Sequence, residues 1–245
     1  MSPPLLVQFM LCPIVLLSLL WMAAPYGRHH ATGWGPCLPG RVAWFLMELP
    51  ALLVVPVMVW ASPVRDVPSA WIPAGLWLFH YSYRTLIFPA LMRPSDHTFP
   101  ALLVGFAIGF NLLNGFNNGT ALIANGHSGT AADSLLFIGG AFIFFAGFAI
   151  HCQADHTIRL LRKPGESGYR IPQGSLFRWV GSPQYLGEIT QWIGWAVMTW
   201  SLAGLAFALF TACNLVPRAI SNDRWYRQTF ANYPVARKIL IPRIF

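Results

Sequence analysis

Charged residues are scarce in this chain, since Asp, Glu, Lys and Arg make up 10% of its 245 residues. A soluble globular domain carries about 25% charged residues, so this composition cannot cover an ordinary water-facing surface. The four cysteines form no CxxC pair, which argues against a zinc ribbon and a disulfide framework. HEXXH, a nucleophile elbow and a P-loop are also absent from the sequence. We therefore expect no metal site, and any nucleotide must be held without a Rossmann domain.

Apolar residues, by contrast, make up 56% of the chain and aromatic residues 15%, and the mean hydropathy is +0.52. A helix needs about 20 apolar residues to cross the hydrocarbon core of a bilayer. The stretches that qualify are 4–24, 41–61, 69–92, 98–118, 134–156, 184–201 and 202–217. The sequence therefore predicts an all-α integral membrane protein, a single domain over residues 1–245 with seven transmembrane helices.

The basic residues predict the orientation of these helices. Of the sixteen Lys and Arg, all but Arg65 and Arg84 fall after predicted helices one, three and five or in the C-terminal region. Because cytoplasmic loops carry the excess of Lys and Arg, we expect the C-terminus in the cytoplasm and the N-terminus outside. The net charge of +8 then reflects loops beside anionic lipid, and nucleic acid is a poor alternative partner.

Ionisable residues at bilayer depth are costly and therefore indicate function. Glu48 in AWFLMELP has two readings: a structural partner of Arg84, or a protonated carboxyl that donates a hydrogen bond to a substrate oxygen. Tyr81 and Arg84 lie three residues apart in FHYSYRT and share a helix face. Tyr81 either packs against a neighbouring helix or donates to an oxyanion. His80 is expected to be a hydrogen-bonded core residue.

A polar segment, 162–195, is too rich in hydrogen-bonding side chains to be a bare linker, and we expect it to bind a ligand. Glu188 and Gln191 lie three residues apart and can face the same cavity. Helix ends that bring Asp155, Arg162, Glu188 and Arg218 to one side would form a cup facing the cytoplasm. A phosphorylated cofactor fits such a cup, because arginines bind phosphate well.

The chain resembles the steroid 5α-reductase family, the membrane 3-oxo-5α-steroid 4-dehydrogenases. The matching segments are AWFLMELP, FHYSYRT, LRKPGESGYRIPQG, LGEI-x-x-WIGW and RWYRQTFANYP…RKILIPRIF. They run in family order from about residue 40 to the end, and the RKPGE…YRIPQG block with LGE is the most specific part.

The resemblance implies seven helices that enclose NADPH and a 4-en-3-one steroid, with a substrate half at about 1–118 and a cofactor half at about 134–245. Glu48 matches the catalytic acid, and Tyr81 matches the tyrosine that contacts the substrate carbonyl. Trp44, Met47 and Arg84 are assigned to the substrate site. The residues assigned to the cofactor site are Arg93, His151, Asp155, Arg162, Tyr169, Arg170, Gln184, Glu188, Arg218, Asn222 and Tyr226.

Four residues depart from the family pattern. Met47 stands where animal members commonly have Gln, which removes a polar contact to the substrate. His151 and Gln184 replace asparagines of the cofactor site, and Asn222 replaces a histidine. The departure at Met47 bears on the native substrate more than on the chemistry.

Three other functions are weighed against the steroid reductase. The first is an enoyl reductase acting on another lipid or a long-chain enoyl thioester, with the same fold and cofactor. The second is a membrane methyltransferase that uses S-adenosylmethionine, in which Glu48 and Tyr81 have no evident role. The third is a transporter with a proton relay through Glu48, His80 and Asp155, but the two halves show no repeat symmetry. We expect a monomer in contact with membrane lipid, in the inner membrane of a bacterium or the endoplasmic reticulum of a eukaryote.

Overall fold

The protein is mostly α-helical in a computed structural model that describes residues 1–29, 31–92, 98–126, 135–161, 166 and 168–245. The elements are α1 (Pro3–Trp21), β1 (Cys37–Pro39), α2 (Gly40–Trp60), α3 (Pro68–Ser82), a π-helical turn (Tyr83–Ile87), α4 (Phe88–Leu91), β2 (Thr98–Pro100), α5 (Ala101–Gly126), α6 (Leu135–Leu160), α7 (Pro183–Thr199) and α8 (Leu202–Thr229), with short 3-10 turns at Gly27–His29 and Ser175–Arg178.

Within these described residues, four helices are long and apolar enough to cross a membrane, namely α1, α2, α6 and α8. The helical fold and its apolar character confirm that part of the expectation. The count of seven spans stays a prediction. The helices α3 and α7 have 15 and 17 residues, and α5 carries several asparagines among its 26 residues.

Each predicted stretch contains a helix, but three helices continue past their predicted ends. They are α5, α6 and α8, which end at Gly126, Leu160 and Thr229 instead of 118, 156 and 217. Polar residues marked these ends in the sequence, yet several of their side chains are paired within the fold. Asp223 and Arg227, for example, form an i,i+4 pair at 2.7 Å that supports the last turns of α8.

An aromatic cluster of tryptophan and phenylalanine side chains holds the centre of the bundle. Trp77 of α3 contacts the rings of Trp192 and Trp195 of α7 and Phe207 of α8. Its indole nitrogen donates to the carbonyl oxygen of Ala51 in α2 at 2.7 Å. Because a buried indole N–H needs an acceptor, this bond fixes α3 against α2 beside the polar residues described below.

Helices α6 and α7 pack at very short distance through glycines spaced seven residues apart. These are Gly140 and Gly147 in α6, and Gly187 and Gly194 in α7. A Cβ atom at Gly187 would lie 2.5 Å from the backbone nitrogen of His151, a contact that no side chain can make. Small residues allow helix backbones to approach this closely in membrane proteins. The packing brings the polar ends of the two helices together.

The loop that follows α1 is tied to the segment that precedes α5. Strands β1 and β2 pair antiparallel with Cys37 opposite Pro100. Phe99 of β2 packs with Tyr26 and Trp44. The same cluster of apolar side chains contains Met47 of α2. This arrangement covers the start of α2, one to two turns from Glu48.

Candidate active site

Arg84 lies at the centre of a buried polar cluster, and a break in helix geometry positions it. Pro89 has no N–H and cannot donate to the Thr85 carbonyl as a regular helix requires. The backbone shifts instead to a π turn, in which the Phe88 N–H donates to the Tyr83 carbonyl oxygen. Single π turns inside helices are frequent at functional sites. This one carries Arg84 into the interior, where it is 7% exposed.

Two carboxylates from different helices face the Arg84 guanidinium. Glu48 of α2 lies 3.7 Å from it and Asp155 of α6 lies 3.9 Å from it. His151, one turn before Asp155, is 3.5 Å from Asp155 through Nε2 and 3.8 Å from Glu188 of α7 through Nδ1. Three acids, one arginine and one histidine therefore meet in an otherwise apolar bundle.

The indole of Trp44 and the ring of Phe88 cover the other side of Arg84. The guanidinium carbon lies 4.5 Å from the Trp44 ring centre and 4.9 Å from that of Phe88. These cation–π contacts compensate part of the cost of burying the charge. Trp44 and Met47, both expected at the substrate site, therefore lie next to the arginine and the carboxyl of Glu48 on the same helix.

Tyr81 and His80 form an aromatic wall beside the cluster. Tyr81 is 3% exposed, packs on Trp77 and Trp192, and lies within electrostatic reach of Glu48 and Glu188. His80 bonds through Nδ1 to Nε2 of Gln191 at 2.8 Å. The expectation of a hydrogen-bonded core histidine is therefore confirmed by the geometry. Glu188 and Gln191 do face one region, since they contact His151 and His80 respectively.

A second group of residues lies at the ends of α7 and α8. Arg218 donates to the hydroxyl oxygen of Tyr26 at 3.1 Å. Asn222 interacts with His29 and with Tyr185. Tyr226 is buried and stacks on Tyr233 with ring centres 5.4 Å apart. Arg218, Asn222 and Tyr226 follow one another at four-residue intervals on α8, and their assignment to a cofactor site stays a prediction.

Two residues that were predicted to bind the cofactor have more exposed side chains than a site that encloses the cofactor would give them. Arg170 is paired with Glu166 at 3.0 Å, and its side chain is 56% exposed. Tyr169 is 37% exposed and packs its ring on Trp225 at 4.9 Å. Arg93 and Arg162 lie outside the described residues.

The structure adds residues that the sequence did not single out. Arg28, in the loop after α1, lies over the rings of Tyr169, Trp225 and Tyr226 at 4.5–5.0 Å. It was grouped with the basic residues that follow helix one, and nothing in the sequence separated it from them. Asn111 of α5 donates to the Met47 carbonyl oxygen at 2.7 Å. An asparagine inside a predicted span was a usable signal for it, because amides are costly in lipid.

Several buried polar atoms of this region find no hydrogen-bond partner among the described residues. They include both ring nitrogens of His151, Oδ2 of Asp155, Oε1 of Gln184, Nε of Arg218 and Nη1 of Arg28. Buried polar groups are normally paired, so a concentration of unpaired donors and acceptors indicates a ligand site. The mixture of donors and acceptors suits a polar ligand.

The comparisons with known proteins agree with the resemblance. Residues 97–245 match the family model described as 3-oxo-5-alpha-steroid 4-dehydrogenase. The chain is 41% identical over 233 residues to the human 3-oxo-5-alpha-steroid 4-dehydrogenase 2, covering 92% of this chain and 91% of the relative. It is 39% identical over 236 residues to the steroid 5-alpha-reductase DET2 of Gossypium hirsutum, covering 94% of this chain and 91% of the relative. The chain therefore belongs to the 3-oxo-5-alpha-steroid 4-dehydrogenase family and is an oxidoreductase that acts on CH–CH groups.

Proposed function

We propose that the protein reduces the C4–C5 double bond of 3-oxo-Δ4-steroids to 5α-3-oxo-steroids, with NADPH as the hydride donor. Family membership supports the reaction class. The observation that carries the proposal is the buried Glu48, paired with Arg84 at 3.7 Å and close to Tyr81 on a neighbouring helix. The enone chemistry requires donors that face the carbonyl oxygen, while the proton that adds at the α-carbon is supplied by water.

Reduction of a conjugated enone adds a hydride at the β-carbon and a proton at the α-carbon, and negative charge builds on the carbonyl oxygen in between. NADPH supplies the hydride when bound. Tyr81 and a protonated Glu48 donate hydrogen bonds to the carbonyl oxygen from two helices. Donors held in a dry site stabilise the developing charge more than water does. Arg84 and the aromatic wall fix these donors and exclude water.

Polar side chains on α6, α7 and α8 would hold the cofactor. His151, Asp155, Gln184 and Glu188 supply acceptors and donors for the amide and hydroxyl groups, and Arg218 supplies a cation for phosphate. Asn222, Tyr169, Arg170 and Tyr226 complete the set, together with Arg93 and Arg162. An arginine beside the 2′-phosphate would favour NADPH over NADH.

In the membrane, we propose that seven helices span the bilayer with the N-terminus outside and the C-terminus in the cytoplasm. Residues 1–118 form the substrate half and residues 134–245 the cofactor half, in one monomeric domain. A planar lipid substrate then enters sideways from the bilayer. In a bacterium this membrane is the inner membrane, and in a eukaryote it is the endoplasmic reticulum.

The proposal is tested by NADPH oxidation with the detergent-purified protein, with and without a 4-en-3-one steroid, and by the mass of the product. We expect steroid-dependent oxidation and a product heavier by two hydrogen atoms. Tight NADPH binding without steroid turnover would contradict the assignment of a steroid substrate and would favour an enoyl lipid or an enoyl thioester as the substrate. Binding of S-adenosylmethionine without NADPH binding would overturn the reductase itself.

A further inference from the structure

Asn111 is a buried amide that the proposed chemistry does not use. It lies on the face of α5 that packs against α2, in line with Gly115 and Gly119, where added Cβ atoms would meet Val54 and Met58. The close approach of the two helices lets a short side chain reach across to the backbone of α2. The Asn111 side chain is well placed for this, because the residue is 8% exposed.

The acceptor of Asn111 is the backbone next to the proposed catalytic acid. Its Nδ2 donates to the Met47 carbonyl oxygen at 2.7 Å. The same amide lies beside the Glu48 carboxyl. Glu48 is therefore bounded by Asn111 of α5 and by Arg84 of the π turn.

An amide nitrogen has two N–H groups, and the bond to Met47 uses one of them. The second can donate to a carboxyl oxygen of Glu48, and Arg84 approaches Oε1 of that carboxyl at 3.7 Å. A carboxyl group between these two donors has fewer orientations open to it than one without such neighbours. Glu48 would otherwise rotate about its last side-chain bond, whose torsional minima are broad.

We propose that Asn111 is a positioning residue for Glu48, holding its carboxyl so that one oxygen faces the substrate carbonyl oxygen. The inference rests on the proposed function for its catalytic consequence. Its structural part, that Asn111 restrains the Glu48 side chain, is independent of the substrate. The neighbouring side chain of Met47 is apolar, so Asn111 supplies a polar contact that position 47 does not.

The test compares Asn111→Leu with Asn125→Leu. Asn125 lies on the same helix and donates the same kind of bond, from its amide to the Thr199 carbonyl oxygen at 2.9 Å, far from Glu48. Both substitutions remove an amide that donates to a backbone carbonyl oxygen of a neighbouring helix, and both should lower the melting temperature. Only Asn111→Leu should lower kcat for enone reduction, by about fivefold or more, because small misplacements of a catalytic group are costly.

Chemical labelling gives a readout that does not depend on activity. Dicyclohexylcarbodiimide reacts with carboxyl groups in apolar surroundings, and mass spectrometry of the labelled peptide gives the rate at Glu48. We expect labelling about threefold faster or more in Asn111→Leu, because the carboxyl loses one of the two donors that hold it. Asn125→Leu should label at the wild-type rate, and NADPH binding should stay unchanged in both variants.

Equal labelling and equal kcat in Asn111→Leu and Asn125→Leu would overturn the inference. If the wild type reduces no enone while Asn111→Leu still accelerates labelling, the proposed function fails and the restraint on Glu48 stands. Should Asn111→Leu fail to fold, Asn111→Ala removes the amide donors without adding bulk between α5 and α2. It should show the same loss of kcat.

Discussion

Arg84 and Glu48 form an ion pair at 3.7 Å between the π turn and α2, and their side chains are 9% and 16% exposed. A buried pair costs desolvation that its attraction does not always repay, so it is weak evidence for stability. An ion-paired carboxylate has no proton to donate, so the two readings of Glu48 that the sequence left open describe different protonation states. In the proposed mechanism, Glu48 faces the substrate in its protonated form.

We predict that Glu48→Gln and Tyr81→Phe each lower steroid turnover by about tenfold or more, while NADPH binding survives. A tenfold loss corresponds to about 1.4 kcal/mol of transition-state stabilisation, less than one oxyanion donor usually contributes. The measurement is steady-state NADPH oxidation, with NADPH affinity from fluorescence titration.

Tyr83→Phe is the matched control for the tyrosine variant. Tyr83 lies two residues along the chain and packs on Phe148 and His151. Removing the Tyr83 hydroxyl should leave steroid turnover within about twofold of the wild-type rate. Near-wild-type rates in both Glu48→Gln and Tyr81→Phe would remove these residues from the mechanism.

Arg218→Leu should weaken NADPH binding by about tenfold or more. Arg218 points into the fold, bonds to Tyr26 and keeps a buried Nε without a partner among the described residues. A cation in such a position is available to a phosphate. The dissociation constant is measured by the fluorescence of bound NADPH.

Arg224→Leu removes an equal charge from an exposed position on the same helix. It should change the dissociation constant by less than about twofold, since exposed charges are screened by salt. A similar loss of NADPH affinity in the two variants would mean that the net charge of the protein attracts the cofactor and that Arg218 makes no specific contact with it.

Gly194→Ala should destabilise the fold by about 1–3 kcal/mol or more, because an added methyl group in a close-packed contact forces the helices apart. A Cβ atom there would meet the carbonyl oxygen of Gly140 at 2.6 Å. The measurement is the melting temperature of the purified protein in detergent.

Gly139→Ala is the control for this change. Gly139 is one residue from Gly140 on α6, and an added Cβ finds no heavy atom within 4 Å among the described residues. It should be neutral or slightly stabilising, because Ala favours the helix over Gly. If both variants melt at the same temperature, the glycine contacts do not limit the packing of α6 on α7.

Gln8→Leu should weaken the packing of α1 against the rest of the helix bundle. Gln8 is fully buried, donates to Oδ1 of Asn114 at 2.9 Å and accepts from Nδ2 of Asn117 at 2.7 Å. Interhelical hydrogen bonds in membranes contribute about 0.6–1.7 kcal/mol each. The Cys12 thiol of α1 lies beside that of Cys213 in α8, so the yield of oxidative cross-linking between them reports on docking of α1.

Val7→Leu, on the lipid-facing side of the same turn, is the control. We expect cross-linking to fall in Gln8→Leu and to stay at the wild-type yield in Val7→Leu, with Cys37 and Cys152 replaced by Ser in every variant. Unchanged cross-linking in Gln8→Leu would mean that apolar contacts with α8 alone dock α1.

The positions of the helices and the family could be predicted because their signals are local. An apolar run of about 20 residues is read without knowing what it packs against. Helix ends were predicted less well where polar residues are satisfied inside the fold. Asn118, past which α5 continues, accepts a bond from the Trp195 indole at 2.8 Å, and no local pattern identifies that partner.

The sequence by itself determined the membrane class, the family and the proposed acid and tyrosine, because composition and motif order are properties of the chain. Only the tertiary structure decided that Glu48, Asp155 and Glu188 converge on Arg84 and His151. That convergence depends on the π turn at Arg84 and on the close approach of α6 and α7 at their glycines. The glycine contacts join residues far apart in sequence, and although Pro89 favours the π turn locally, only the packing of α2 and α6 brings two acids to Arg84.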